Sequence, residues 1–286
     1  MEGIRMIKGL STAGLGQVKD IEQLIQLASE NGFGAIDTSG NELNNWVKTK
    51  GLEEAKSFLH KHGVIIGSIG LSVEWRGTDE QFKEGLSTLL QDAQIAAAFD
   101  CKSCCTYVLP ATDQKPAHYM VQATKRLRLC AQILKEYGVK LGLEFVGPHH
   151  LRKAWTYPFI WTMQETVEWI DVIGEPNVGL LLDSYHWYTT NGTVEDLLAL
   201  DPAQITHVHI NDAKDIPVVE VLDNDRLYPG EGVIDLNAFL KALSTIGYKG
   251  VVAQEILSPE QPQETAEVLA EKSGKAFEGV FSGIEN

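Results

Sequence analysis

The sequence predicts an α/β fold of the (β/α)8 TIM-barrel type. Short apolar, β-rich runs alternate with longer amphipathic segments, and eight such pairs fit within the 286 residues. That alternation implies a parallel sheet, and eight units in about 250 residues suit a closed barrel. An open doubly wound sheet is the competing architecture. Against it, no G-x-G-x-x-G follows the first strand and no G-x-x-x-x-G-K-[ST] occurs anywhere. No Pro/Ser/Gly-rich linker divides the chain and no internal repeat is evident, so residues 1–286 read as a single barrel domain with a long loop at about 147–162.

The elements follow in order. The first strand is Arg5–Leu10. The helical pattern over Val18–Asn31 puts Ile21, Leu24, Ile25, Leu27 and Ala28 on one face, with Gly32 as a stop. Strand Ala35–Asp37 precedes a helix near Val47–His62, and strand Val64–Ile69 precedes a helix over Asp79–Ala98. Strand Ser103–Val108 leads to a helix over Pro116–Tyr137, which has Pro near its start and Gly138 past its end. Strand Lys140–Phe145 is followed by the long loop and a helix near Met163–Ile173. Strand Val178–Asp183 precedes a short helix, Val194–Leu200, with Thr193 as N-cap. Strand Ile205–Ile210 leads into a long polar loop and a helix near Leu236–Ile246. Strand Gly250–Glu255 and a helix near Thr265–Phe281 complete the set.

Composition excludes several classes. Hydrophobic residues make up 44% and charged residues 22%, values of an ordinary globular chain rather than a disordered or fibrous one. The 39 acidic and 24 basic residues leave a net charge of −15. A field of that sign repels phosphate backbones and anionic lipid, so neither nucleic acid nor a membrane is an expected partner. It favours a neutral or cationic ligand. Apolar runs fall short of the ~20 residues a spanning helix needs, and the N-terminus lacks the basic-then-apolar order of a signal peptide. Cys101, Cys104 and Cys105 include a C-x-x-C spacing, but no second Cys or His pair follows at finger spacing. They read as small, buried, reduced thiols, and the expected location is cytoplasmic.

In a barrel, reactive groups sit where strands end and βα loops begin. The last four strands each end in a candidate metal ligand: Glu144, Asp183, His209 and Glu255. One carboxylate at a strand end is usually a helix cap or a solvated group, and one strand His is usually a core residue. Four at equivalent positions on neighbouring strands point instead to a metal site. A carboxylate closing an apolar run is costly unless paired, and a divalent cation removes that cost. Three carboxylates and one imidazole form a mostly hard donor set, which favours one ion of Mn²⁺, Mg²⁺ or Co²⁺ without excluding Zn²⁺.

These residues lie in motifs that resemble the xylose isomerase-like TIM-barrel superfamily of sugar isomerases and epimerases. The motifs are L-E-F-V-G (143–147), G-L-L-L-D-S-Y-H (179–186), H-V-H-I-N-D (207–212), D-R-L-Y-P-G-E-G-V-I-D (225–235) and Q-E-I-L (254–257). Within it the nearest likeness is to the bacterial 2-keto-myo-inositol (inosose) isomerases of inositol catabolism. It runs nearly continuously from Lys140 to about Pro259, whereas the N-terminal half matches mainly in layout. The resemblance implies that Glu144, Asp183, His209 and Glu255 are the metal ligands. It implies that His186 contacts a substrate hydroxyl and that Arg226 holds a substrate oxygen near the metal. Glu144 and Glu255 become the catalytic base and acid of a proton transfer through a metal-stabilised enediolate, on a keto-sugar or keto-cyclitol. By analogy alone, it also admits a homo-oligomer.

Other residues carry expectations of their own. Trp187, next to His186, is expected to line the substrate pocket. His207 shares the strand face of His209 and reads as support for it. Asp37 ends the second strand, to bind a hydroxyl or to cap. Trp155, Tyr157 and Trp161 either stack on a sugar from a lid or pack the loop onto the barrel; Arg152 and Lys153 either meet an acidic group or are solvated. Trp46 and Trp75 are equally ambiguous. Keto-hexose epimerases have a second Glu six residues after the first ligand, where this chain has His150, and this weakens the epimerase reading. Gly230-Glu231-Gly232 looks like an anion-binding turn, yet Glu231 sits inside it, so a phosphorylated substrate is not expected. The alternative function is a metal-dependent lyase or dehydratase, in which the same intermediate expels a β-hydroxyl. An endonuclease IV-type hydrolase needs more His ligands and a basic face.

Overall fold

The structure, a computed structural model, describes residues 6–284. Eight parallel strands close a barrel: β1 (Ile7–Leu10), β2 (Ala35–Ser39), β3 (Ile65–Gly70), β4 (Ser103–Val108), β5 (Lys140–Phe145), β6 (Val178–Asp183), β7 (Ile205–Ile210) and β8 (Val251–Gln254). Each strand pairs with its sequence neighbours, and β1 closes on β8 through Ile7 opposite Val251. The predicted (β/α)8 barrel is therefore the fold. Arg5, predicted as the start of β1, lies outside the described residues.

The helices form the outer layer: α1 (Ile21–Glu30), α2 (Gly40–Lys50), α3 (Leu52–His62), α4 (Asp79–Ala98), α5 (Pro116–Glu136), α6 (Met163–Ile173), α7 (Ser184–Thr189), α8 (Val194–Leu198), α9 (Leu236–Ile246) and α10 (Ala266–Ser282). Local chemistry sets their ends. Asp20 caps α1 through the amide of Gln23, and capping boxes open α4 at Thr78 and α6 at Thr162. The single helix predicted near Val47–His62 is instead two. Ser39 caps α2 earlier than the apolar pattern begins, and Gly51, at φ 85°, breaks the chain between α2 and α3. The six-residue helix α7 was not predicted. Val194–Leu200 is helical only to Leu198, and Glu255 lies one residue beyond β8.

Two strands carry bulges. The β2–β3 register shifts between Ile36 and Asp37, leaving Gly67 as the extra residue. The β6–β7 register shifts between Leu180 and Leu181, leaving Thr206 as the extra residue. A bulge re-aims the side chains that follow it. Inside the helical layer the apolar core is continuous around the barrel. Among the described residues, no helix is long and apolar enough to cross a membrane.

Candidate metal centre

The ends of the last four strands bring Glu144, Asp183, His209 and Glu255 to one point, with one ligand atom from each within 4.8 Å of all the others. His209 Nδ1 lies 3.7 Å from Glu144 Oε1, 3.9 Å from Asp183 Oδ2 and 3.6 Å from Glu255 Oε1. Donors placed tetrahedrally around a cation at ~2.1 Å stand about 3.4 Å apart, so a small contraction suits the group to an ion. Two of the four atoms, Glu144 Oε1 and His209 Nδ1, are buried without a hydrogen-bond partner. Orphaned donors facing each other are costly unless something positive joins them. The residues fit a divalent cation.

The surrounding groups hold these side chains in place. Asp183 Oδ1 caps α7 by accepting the Tyr185 amide at 2.6 Å, which leaves Oδ2 for the centre. Asn211 donates to both Asp183 oxygens, at 3.2 and 3.1 Å, and to the Glu255 carbonyl at 3.2 Å. Arg226 donates to Asp183 Oδ2 at 3.1 Å, Glu255 Oε2 at 2.7 Å and Asp223 Oδ1 at 2.8 Å. Three carboxylates thus share one guanidinium. That surplus of negative charge is what a dication offsets. Burial alone would lower the Arg226 pKa, yet Asp183 and Glu255 carry it well above its usual value.

Charge also separates the two glutamates. Burial, and then the charge of Glu255, pushes the Glu144 carboxyl up. Burial acts in the same sense on Glu255, but His209 and Arg226 outweigh it and hold that carboxyl well below the usual range. Burial disfavours the charged His209 ring, but Glu255 and the Asp37 hydrogen bond raise its pKa well above normal. Asp37 is likewise pushed up by burial, yet His207 and His209 bring it down to about 2. It accepts from His207 Nε2 at 2.7 Å and His209 Nε2 at 3.3 Å through one oxygen, Oδ2.

The centre faces a cleft of about 390 Å³ lined by residues such as Ser11, Thr12, Thr38, Glu42, Ser68 and Tyr107, with Asp37, Glu144, His209 and Glu255. Its wall is rich in hydroxyls, and no Lys or Arg among the described residues lines it.

The profile of the family described as xylose isomerase-like TIM barrel matches residues 25–272. The chain belongs to this family. An inosose isomerase of Bacillus velezensis is 27% identical over 267 residues, which span 92% of each chain. A xylose isomerase domain protein from Alicyclobacillus acidocaldarius superposes with a TM-score of 0.90 at 32% identity, covering 99% of this chain and 100% of its own. The structure of IOLI protein with a bound zinc atom superposes with a TM-score of 0.81 at 26% identity, covering 97% of this chain and 98% of its own.

The remaining expected site residues of this family member divide. His186 stands behind the glutamates, with Nε2 3.9 Å from Glu144 Oε1. Its Nδ1 accepts the Gly147 amide at 3.3 Å, so Nε2 carries the proton. His186 and Arg226 are both buried and neither lines the cleft. Trp187 is not at the cleft. Its indole packs on Phe239 and donates to the Thr193 carbonyl at 3.2 Å, because α7 turns it outward between barrel and helix layer. The long loop packs down as well. Tyr157–Pro158 pairs with Ala111–Thr112, and Arg152 lies 3.7 Å over the Trp161 ring while donating to the carbonyls of Gly147 and Thr189. Trp46 stacks on Phe99, and Trp75 donates to Thr106 Oγ1. The amides of Gly230 and Gly232 both bind Asp212 Oδ2 at 2.9 Å, so that turn is spent on folding its own loop. The four cysteines are free thiols, and burial pushes Cys101, Cys105 and Cys130 up to about 12.

Sequence reasoning missed Asn211 and Asp223. The only signal for Asn211 was its place in H-V-H-I-N-D, two residues past His209 and on the same strand face.

Proposed function

We propose that this chain is a divalent-metal-dependent isomerase or epimerase acting on an uncharged keto-sugar or keto-cyclitol. The observation that carries the reading is the pair of buried, unpartnered atoms, Glu144 Oε1 and His209 Nδ1, converging with Asp183 and Glu255 on a hydroxyl-rich cleft. Glu144, Asp183, His209 and Glu255 would hold the cation, one of Mn²⁺, Mg²⁺, Co²⁺ or Zn²⁺; the zinc in the IOLI structure supports Zn²⁺ as a candidate. When bound, the cation supplies Lewis-acid polarisation of a substrate carbonyl.

The chain's own residues handle the proton. Glu255, kept ionised by His209 and Arg226, accepts the proton on carbon next to the carbonyl. Glu144, whose carboxyl is pushed up by burial and by the charge of Glu255, returns one; the substrate's stereochemistry decides whether the roles reverse. Arg226 holds Asp183 and Glu255 in place. His186, buried behind Glu144 with Nε2 3.9 Å from Glu144 Oε1, backs that carboxylate. The hydroxyls of Ser11, Thr12 and Thr38 and the Glu42 carboxylate suit a polyol. The inosose isomerase relative supports a keto-cyclitol as the first substrate to try. Free buried thiols support a reducing, cytoplasmic setting.

The test is incubation of Mn²⁺-loaded protein with a panel of inososes and keto-hexoses in D2O. The expected result is an isomer with unchanged skeleton and one deuterium on carbon. Loss of water from the substrate would instead establish a lyase. Glu255→Gln is expected to remove turnover at least 100-fold, by analogy with the loss of any positioned acid–base group; an active variant would sink the assignment.

A further inference from the structure

Asp37 belongs to a second group of candidate ligands, Asp37, His207 and His209, which shares His209 with the centre described above. The sharing is through opposite ring nitrogens: Nδ1 faces the centre and Nε2 faces Asp37. We propose that Asp37, reaching across the barrel from β2, is the positioning residue that fixes the tautomer and aim of His209, and so sets how tightly the centre holds its cation. The inference rests on the metal-dependent reading.

The geometry is specific. β2 and β7 are not neighbours in the sheet, yet Asp37 Oδ2 meets both β7 imidazoles through the barrel interior, at 2.7 and 3.3 Å. An ionised carboxylate only accepts, so each Nε2 is a donor. In the neutral ring, the form that can bind a cation, His209 is then left with its lone pair on Nδ1, the atom that has no other partner and faces Glu144, Asp183 and Glu255. A ligating imidazole whose second nitrogen donates to a carboxylate is more basic and rotationally fixed.

The backbone is shaped for this contact. The bulge residue Gly67 lies opposite the Ile36–Asp37 step, and the bulge residue Thr206 immediately precedes His207. A Cβ at Gly67 would stand 2.8 Å from Asp37 Oδ1, so any side chain there displaces the carboxylate. Both irregularities in the barrel register flank this one contact. A second cation between Asp37, His207 and His209 is the rival. It would need His209 deprotonated at both nitrogens and would displace two hydrogen bonds already made.

The experiment is competitive Zn²⁺ titration against a chromophoric chelator, with metal stoichiometry, for wild type, Asp37→Asn, Gly67→Ala, His209→Gln and the Asp37→Asn/His209→Gln double variant. Asp37→Asn is expected to weaken Zn²⁺ binding about 10- to 100-fold. Gly67→Ala, which moves the carboxylate without changing charge, is expected to weaken it in the same direction. In the His209→Gln background Asp37→Asn is expected to have no further effect, because it acts through that ring. Independently of any variant's folding, ¹⁵N-histidine spectra of the Zn²⁺-loaded wild type are expected to show one ring protonated at Nε2 and metal-bound at Nδ1. Wild-type affinity in Asp37→Asn, additive losses in the double variant, or a ring bound through Nε2 would overturn the inference, as would two ions per chain. A wild type that binds no Zn²⁺, Mn²⁺ or Co²⁺ would instead remove the functional reading on which it rests.

Discussion

Asp183 shows how one side chain can satisfy two expectations at once. It ends β6, caps α7 with Oδ1 and turns Oδ2 to the centre. The two readings are compatible because a carboxylate has two oxygens: Oδ1 makes the cap, and Oδ2 belongs to the group proposed to hold the cation. His209 is the group whose protonation governs the centre. Its pKa is raised by the carboxylates around it, and the proton must leave before Nδ1 can ligate. Metal affinity is therefore expected to climb with pH across the neutral range, with proton release on binding. Calorimetry in two buffers of different ionisation enthalpy measures that release; a pH-independent affinity contradicts it. Asp37 makes folding stability rise with pH as well, but in the acid range. Its pKa is about 2 in the folded chain against an ordinary 3.8. Its contribution is full above 3.8 and is lost as pH falls through about 2, a difference of about 2 kcal/mol. Urea melts of wild type and Asp37→Asn between pH 5 and 2 should converge as pH falls.

At the scale of elements, the strands were legible because each is a short apolar run bounded by turn residues. Their ends located all four residues that converge at the candidate metal centre. Helix boundaries were less legible where backbone, not side-chain pattern, decides. Gly51 at φ 85° splits α2 from α3, and no apolar spacing announces that. Gly51→Ala is expected to cost about 1 kcal/mol, read as a lowered melting temperature, because a Cβ disfavours positive φ. Thr162→Ala, which removes the capping box of α6, is expected to cost about 1 kcal/mol in the same assay. The aim of Trp187 was illegible for a related reason. Its neighbour His186 points to the centre, but on a helical turn adjacent residues diverge by about 100°, and α7 was not foreseen. The Asp37 contact was hidden by the two bulges, which shift side chains by one position without any marker in composition.

At the scale of the whole molecule, the barrel joins two halves that the sequence motifs treat unequally. The half from Lys140 onward supplies the four residues of the candidate centre, while the N-terminal half supplies most of the cleft wall and the Asp37 contact. A net charge of −15 and a cleft without Lys or Arg among the described residues argue together against anionic substrates. A phosphorylated keto-sugar is expected to be turned over far more slowly than its uncharged counterpart; equal kcat/KM for the two would contradict this. The proposed function rests on the cation. Its most direct test is metal analysis of purified wild type beside Asp183→Ala after supply of Mn²⁺, Co²⁺ or Zn²⁺. One divalent ion per wild-type chain and none in the variant is the expected result. A wild type without metal, or a variant that keeps it, would contradict the account.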